Sequence, residues 1–210
     1  MWYDITRTVN AATAVWPGDH PFHAAHALRI PEGSSVNLTT ITMSPHTGTH
    51  ADAYYHYEQD GEHPAHMPLE KYIGRARVIT VSRRDGALTL DDVAHISITG
   101  AERVLIRSAV SEAADDAPFP TEFPYLSVPL IDAWAAAGIV LIGLDSPSVD
   151  AFTSRELPCH HALRRQGMVN LENLALRGVP DGDYELIALP LKLDAVCGSP
   201  VRAILRPLNR

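Results

Sequence analysis

The chain has 210 residues, and 17 lysine and arginine residues against 25 aspartate and glutamate residues give it a formal charge of −8. Its length and its 46% of hydrophobic residues exclude a disordered chain and predict one packed domain over residues 1–210. The negative balance argues against nucleic acid as a partner, and no apolar run approaches the roughly 20 residues of a membrane span, so we expect a small-molecule partner and no membrane contact.

Short β-rich runs and two helical runs predict the elements of the fold. The first residues, MWYDITRTVN, lack the pattern of a signal peptide, so we expect a cytoplasmic location. In chain order the predicted elements are strand Val36–Met43, turn Leu69–Tyr72, strand Arg77–Ser82, turn Asp91–Ala94, strand Arg103–Ser108, loop Ser111–Pro124, helix Leu126–Ala137, strand Val140–Asp145, helix Pro158–Gln166 and strands Tyr184–Leu189 and Val201–Leu205. Many strands and few helices predict an α/β fold with a mixed β-sheet.

Histidine is the residue with the most uneven distribution, since eight of the eleven histidines lie between His20 and His66. The densest segment reads SPHTGTHADAYYHY. Its glycine, Gly48, favours a turn that leads into extended chain, where His50 and Asp52 share one side. The turn would bring His46 back beside them. Two imidazoles and one carboxylate form a good zinc site with a position left for water.

The role of His56 stays open on spacing alone. If the strand continues past Asp52, His56 lies on the same side as the predicted ligands. It would then be a fourth metal ligand or a general acid/base. We expect six other histidines to be surface or satisfied core residues: His20, His23, His26, His63, His66 and His95.

A second candidate group follows the predicted helix of residues 158–166. If the chain runs helix, turn, strand, His160 and Glu172 converge across the turn at Gly167. Cys159 as a nucleophile is disfavoured, because a catalytic cysteine needs its histidine in space rather than next in sequence. A soft-ligand role for Cys159 and any role for His161 stay open.

Two further segments carry weaker signals. The WPGD segment is typical of a turn, and Trp16 either lines an aromatic pocket or caps the core. Residues 145–150, DSPSVD, follow an apolar strand and form either a functional loop or a polar turn. The chain lacks GxGxxG, P-loop and GxSxG motifs, so nucleotide binding and serine-hydrolase chemistry lack their usual marks.

The segment HTGTHADAYYH resembles the motif HxGTHxDxPxH of the metal-dependent cyclase-like hydrolase family. The likeness extends over nearly the whole chain. It includes DIT and VWPGDHPF near the start, LIGLDSPSVD in the middle, and GDYELIALPLKL and SPVRAILR near the end. The terminal blocks favour the formamidase branch of that family. The implied fold is a single cyclase-like domain of the swivelling β/β/α type with few helices, usually found as a homodimer.

By position, the resemblance implies two neighbouring metal sites. His46, His50 and Asp52 match the ligands of the first metal. Asp52 also matches a carboxylate that bridges to a second metal, with His160 and Glu172 as the remaining ligands. The implied cofactor is zinc, as one or two ions per subunit, with manganese as an alternative.

The resemblance also implies the reaction. His56 matches the catalytic acid/base, and Trp16 matches an aromatic substrate contact. The implied activity is hydrolysis of an aromatic formamide, N-formyl-L-kynurenine, to L-kynurenine and formate by a metal-activated water, a step of tryptophan degradation. The alternatives are hydrolysis of another aryl amide, of an isatin-like cyclic amide or of a lactone, and a non-catalytic metal-binding domain.

Two departures from the family pattern bear on the substrate. The family motif has proline two residues before its last histidine, where this chain has Tyr54, followed by Tyr55. Close formamidases often have glycine after the ligand glutamate, where this chain has Asn173. Neither change removes a ligand, and we expect both positions to lie near the substrate pocket.

Overall fold

The computed structural model describes residues 1–208. Within that range the α-helices are α1 (Leu90–Val93), α2 (Val128–Ala136) and α3 (Pro158–Arg165). The strands are β1 (Tyr3–Asp4), β2 (His23–Leu28), β3 (Leu38–Thr42), β4 (His50–Asp52), β5 (Ile73–Thr80), β6 (Gly86–Leu88), β7 (Arg103–Arg107), β8 (Pro124–Leu126), β9 (Leu141–Leu144), β10 (Val169–Glu172), β11 (Gly182–Ile187), β12 (Gly198–Pro200) and β13 (Ile204–Pro207). No helix in the described part of the chain is long and apolar enough to cross a membrane.

Nine strands form one mixed sheet in the order β1-β13-β11-β5-β7-β9-β10-β4-β12. The four central strands β5, β7, β9 and β10 run parallel, and antiparallel strands continue the sheet on both sides. Two small sheets, β2-β3 and β6-β8, lie outside it. The α/β class with a mixed sheet and few helices is confirmed.

Strand β9 and the middle of β7 are apolar and buried because both faces of the sheet are covered there. On β7, Val104 and Ile106 belong to the core cluster that contains α2 and α3, whereas Leu105 belongs to the cluster on the opposite face. All three side chains are buried. Alternation along the strand therefore divides the core into two layers.

Strand β4 joins the two halves of the candidate site. It lies between β10 and β12, with His50 opposite Glu172 and Asp52 opposite Gly198. Glu172 is the last residue of β10, and His50 is the first residue of β4. The antiparallel register therefore places these two predicted ligands side by side.

The predicted strand Val201–Leu205 is wrong in its bounds, since β12 ends at Pro200 and β13 begins at Ile204. Between these two strands, the backbone N–H groups of Val201 and Ala203 donate hydrogen bonds to two different segments. The Val201 N–H donates to the Thr49 carbonyl (3.1 Å), and the Ala203 N–H donates to Thr6 Oγ1 (2.9 Å). The segment before β4 and the N-terminal segment thus each bond one residue of this stretch, so the strand is interrupted.

Candidate active site

Asp52 lies at the centre of the candidate site, between three imidazoles. Its Oδ1 is 2.9 Å from His46 Nδ1 and 3.4 Å from His50 Nε2. Its Oδ2 is 3.3 Å from His160 Nε2. The turn at Gly48 and the first turn of α3 therefore bring predicted residues from two distant parts of the chain to one carboxylate.

Glu172 completes the group from β10. Its Oε2 is 3.4 Å from His50 Nε2, and its Oε1 is 3.8 Å from His160 Nε2. The five residues predicted as ligands from the sequence and from the family resemblance thus meet in one cluster. His50, Asp52, His160 and Glu172 are all buried.

The donor atoms of this cluster fit a metal ion. Among residues 1–208, the buried atoms His50 Nε2 and Asp52 Oδ1 make no well-oriented hydrogen bond, although they lie 3.4 Å apart and Oδ1 is 2.9 Å from His46 Nδ1. Buried polar atoms without partners are costly and rare, so both atoms call for a further ligand. The donor atoms of His46, His50 and Asp52 lie within 4.8 Å of one another. Imidazole and carboxylate groups in such a set suit a divalent ion such as zinc.

The second ring nitrogen of each candidate histidine ligand also has a partner. His50 Nδ1 is 2.9 Å from the Gly48 carbonyl oxygen. His160 Nδ1 is 2.7 Å from Asp150 Oδ2, and His46 Nε2 is 3.1 Å from Cys197 Sγ. Such outer contacts fix the orientation and tautomer of a metal-binding imidazole.

Asn170 is a site residue that sequence reasoning missed. Its Nδ2 donates to Asp52 Oδ2 (2.7 Å) and to Glu172 Oε1 (3.0 Å). The Val149 N–H donates to the same Glu172 oxygen at 3.0 Å. Asn170 precedes Glu172 by two residues on β10, so strand alternation was the signal that could have found it.

The carboxylates of the cluster favour the protonated form of its histidines. Burial alone would lower the pKa of His50, but hydrogen bonds and charges of Asp52 and Glu172 outweigh it and raise that pKa to about 10. The pKa of His160 is likewise raised to about 10 against its burial, by Asp150 and Asp52. Burial raises the pKa of Asp52, but the imidazole hydrogen bonds bring it well below its usual value. Metal binding at such a site releases these protons.

His56 reaches the site by a route other than the predicted one. The strand does not continue past Asp52, because Tyr54–His56 forms a 3-10 turn closed by a hydrogen bond from the His56 N–H to the Ala53 carbonyl (2.9 Å). The exposed His56 ring is 4.1 Å from the His46 ring and 5.9 Å from the His160 ring, between centroids. The turn, rather than strand alternation, places His56 beside the cluster.

A cavity of about 620 Å³ opens onto the cluster. Trp16 and Phe119 line it together with His46, His56 and His160. The Trp16 ring lies 5.3 Å from the Phe119 ring and 5.0 Å from the Phe152 ring, between centroids. Of the two interpretations of Trp16, the structure supports the one in which it lines an aromatic pocket.

The two tyrosines that depart from the family motif come just before His56, which lines this cavity, but they are not themselves part of its lining. Tyr54 is buried, and its hydroxyl donates to the Met168 carbonyl at 2.8 Å. Tyr55 is exposed and contacts the His63 ring, with centroids 4.2 Å apart. The tyrosine pair therefore serves packing and the outer surface.

Asn173 does line the cavity, and its backbone has a conformation that glycine also adopts readily. Its φ of 56° lies in the left-handed region. Glycine enters this region without cost, and asparagine is among the few other residues that tolerate it. Asparagine is therefore compatible with the left-handed backbone after Glu172 and adds an amide to the pocket wall.

The other two residues of the second candidate group, Cys159 and His161, lie apart from the cluster. Cys159 is buried in the core, its Sγ donates to the Leu126 carbonyl (3.1 Å), and burial raises the pKa of its thiol. This environment argues against a nucleophile or a ligand. His161 is exposed, with its Nδ1 3.7 Å from Glu58 Oε1. Neither side chain contributes to the cluster.

Comparisons with known proteins identify the family of this chain. The Cyclase family model matches residues 3–151. The kynurenine formamidase of Bacillus cytotoxicus is 42% identical, with 99% of this chain and 98% of that protein aligned. The kynurenine formamidase of Salinibacter ruber is 44% identical, with 97% and 96% aligned.

Solved structures give the same result. A potential metal-dependent hydrolase with cyclase activity superposes with a TM-score of 0.85 at 26% identity, covering 100% of this chain and 99% of that one. Isatin hydrolase A from Labrenzia aggregata superposes with a TM-score of 0.84 at 26% identity, covering 100% and 94%. The chain therefore belongs to the cyclase family of metal-dependent hydrolases.

Proposed function

We propose that this chain hydrolyses N-formyl-L-kynurenine to L-kynurenine and formate, with residues 1–210 acting as one domain. The observation that carries the proposal is the position of Asp52 between His46, His50 and His160, three histidines that line a cavity with an aromatic wall. Relatives that align over almost their full length and are named kynurenine formamidase support this substrate.

The proposed cofactor is zinc, as one or two ions. His46, His50 and Asp52 would hold the first ion, and His160 and Glu172 would hold a second ion with Asp52 shared between them. Zinc in such a site supplies a water of lowered pKa, near 7, and polarises the carbonyl of an amide. Asn170 would keep the two carboxylates oriented toward these ligands through its paired hydrogen bonds.

Residues of the chain itself would transfer the proton and bind the aromatic ring of the substrate. In the hydrolysis, the oxygen of water bonds to the formyl carbon as one of its O–H bonds breaks, the carbon–nitrogen bond breaks, and the aryl amine nitrogen takes the proton that the water released. His56, exposed beside the cluster, would pass that proton to the leaving amine. The Trp16 ring, packed against Phe119 and Phe152, would hold the aryl ring of the substrate.

A turnover assay on protein of known metal content tests the proposal. Zinc and manganese are quantified first, and then N-formyl-L-kynurenine, an aryl acetamide, isatin and a lactone are supplied in parallel. We expect turnover of the formamide to exceed that of the others. Metal-loaded protein that is inactive on the formamide but opens isatin would favour the cyclic-amide alternative, which the isatin hydrolase likeness supports.

We also propose that the protein forms a homodimer through the β2-β3 ribbon. Both strands of the ribbon are exposed along their full length, and Leu28, Leu38 and Ile41 are 43%, 52% and 59% exposed. The strands read HAAHAL and LTTIT, without a charged residue. An isolated two-stranded ribbon is marginal in water, and a second copy would cover it. In sedimentation equilibrium, Ile41→Asp should shift a dimer toward monomer.

A further inference from the structure

We propose that Cys197 is a positioning residue for His46: its sulfur holds the outer nitrogen of the imidazole, so that the inner nitrogen faces the proposed metal. This inference rests on the proposed metal-dependent function. The relevant contacts are His46 Nε2 to Cys197 Sγ at 3.1 Å and His46 Nδ1 to Asp52 Oδ1 at 2.9 Å. The two ring nitrogens thus face opposite partners.

His46 needs an external support more than the other two imidazoles. The side chains of His50 and His160 are 2% and 3% exposed, whereas that of His46 is 16% exposed. His50 is held by the Gly48 carbonyl two residues away and His160 by Asp150 ten residues away. The partner of His46 comes from 151 residues away, so this contact must be supplied by the tertiary fold.

The backbone fixes the position of Cys197. The Ala53 N–H donates to the Cys197 carbonyl at 3.0 Å. The next residue, Gly198, begins β12 and lies opposite Asp52 on β4. The sulfur is therefore tied to the same strand that carries the central carboxylate, and the two supports of His46 move together.

Independently of the thiol, the backbone of Gly198 also packs against the His46 ring. A Cβ at this position would lie 2.8 Å from His46 Cε1 and 3.1 Å from the Ala51 carbonyl oxygen. Contacts under about 3 Å are too close for carbon, so the ring rests directly on the glycine backbone. Cys197 and Gly198 together thus hold the edge and the face of one imidazole.

The ring nitrogen of His46 that binds the metal distinguishes this role from direct ligation by the thiol. His46, His56 and Cys197 also bring donor atoms within 4.8 Å of one another. A metal held there would use His46 Nε2, which points away from Asp52. A metal held with Asp52 uses Nδ1, leaves the hydrogen on Nε2, and makes the sulfur its acceptor. The buried Asp52 Oδ1, which is 2.9 Å from His46 Nδ1 without a well-oriented hydrogen bond, favours the second arrangement.

Zinc affinity of three variants tests the inference. Cys197→Ala removes the acceptor, Cys197→Ser restores one, and Lys192→Ala is a matched change at an exposed position of the same segment. Dissociation constants are measured by competition with a chromophoric chelator. We expect a 10- to 100-fold loss of affinity in Cys197→Ala, substantial recovery in Cys197→Ser and no change in Lys192→Ala. Gly198→Ala should weaken zinc binding with the thiol still present.

Two results would overturn the inference in different ways. Wild-type affinity in both Cys197→Ala and Gly198→Ala would show that His46 needs no cradle, with the metal-dependent function intact. A thiolate-to-metal charge-transfer band in the cobalt-substituted protein, lost in Cys197→Ser, would show that the sulfur is itself a ligand. An unaltered protein that binds no zinc would overturn this inference and the proposed function together.

Discussion

His160 and Asp150 form a buried hydrogen bond of 2.7 Å between Nδ1 and Oδ2. The same carboxylate accepts the backbone N–H groups of Cys159 and His160, each at 3.0 Å. Asp150 therefore fixes both the start of α3 and the ring that the helix presents to Asp52. This one side chain links the loop after β9 to the geometry of the site.

Replacing Asp150 with alanine should destabilise the metal-free protein strongly. Two backbone N–H groups and one ring nitrogen would lose their acceptor in a buried region, which costs on the order of 3 kcal/mol. Urea unfolding of the metal-free protein measures the change in unfolding free energy. Asp150→Asn keeps one carbonyl acceptor and should lose clearly less, so equal losses in the two variants would contradict the hydrogen-bond argument.

His56→Ala should separate proton transfer from metal binding. We expect turnover to fall by about 10²- to 10⁴-fold, the usual contribution of a general acid, while the zinc content stays at the wild-type value. His66→Ala changes a histidine that is 64% exposed and outside the cavity lining, and it should leave both quantities unchanged. Undiminished turnover in His56→Ala would exclude it as the proton donor.

Strand alternation was enough to group part of the site from the sequence. His50 and Asp52 lie on β4 as predicted, and the turn at Gly48 returns His46 to them. Period-two spacing is a local property, so a sequence carries it directly. His160 and Glu172 needed the family resemblance, because their approach depends on how α3 and β10 pack.

The positions of Cys197 and His56 escaped prediction because they depend on the tertiary fold. Cys197 meets His46 across 151 residues, and no local spacing predicts such a contact. The turn that places His56 was missed because AYYHY matches a strand pattern, whereas the chain leaves the sheet after Asp52. Tertiary context overrides the local preference at such points.

Removal of the metal should lower thermal stability. At a free zinc concentration of about 100 times its dissociation constant, binding adds about 2.7 kcal/mol to the folded state. For a chain of this length, that corresponds to a decrease in Tm of about 5–10 °C on chelation. Differential scanning calorimetry measures it. Zinc should restore the Tm, whereas magnesium, which prefers all-oxygen sites, should not, and restoration by magnesium would argue against the histidine ligands.

Trp16→Ala should lower kcat/KM for aromatic substrates without changing the zinc content. An aromatic pair contributes about 0.5–1.5 kcal/mol beyond burial, so we expect kcat/KM for the formamide to fall about 2- to 12-fold. Trp16→Phe keeps a ring against Phe119 and Phe152 and should retain most of the activity. Steady-state kinetics with zinc analysis check this, and an unchanged kcat/KM in the alanine variant would place the substrate ring elsewhere.

Asn173 offers a test of backbone geometry beside Glu172. With φ at 56°, Asn173→Gly should leave unfolding free energy within about 1 kcal/mol of wild type, because glycine occupies the left-handed region freely. Asn173→Val should lose about 1–3 kcal/mol, because a β-branched residue is strained there. The backbone cannot escape the strain easily, since the Asn173 N–H donates to the Ser146 carbonyl (2.9 Å) and its carbonyl accepts from Thr49 Oγ1 (2.7 Å). Urea midpoints of the two variants decide the matter, and equal stability would mean that the left-handed backbone carries no constraint at this position.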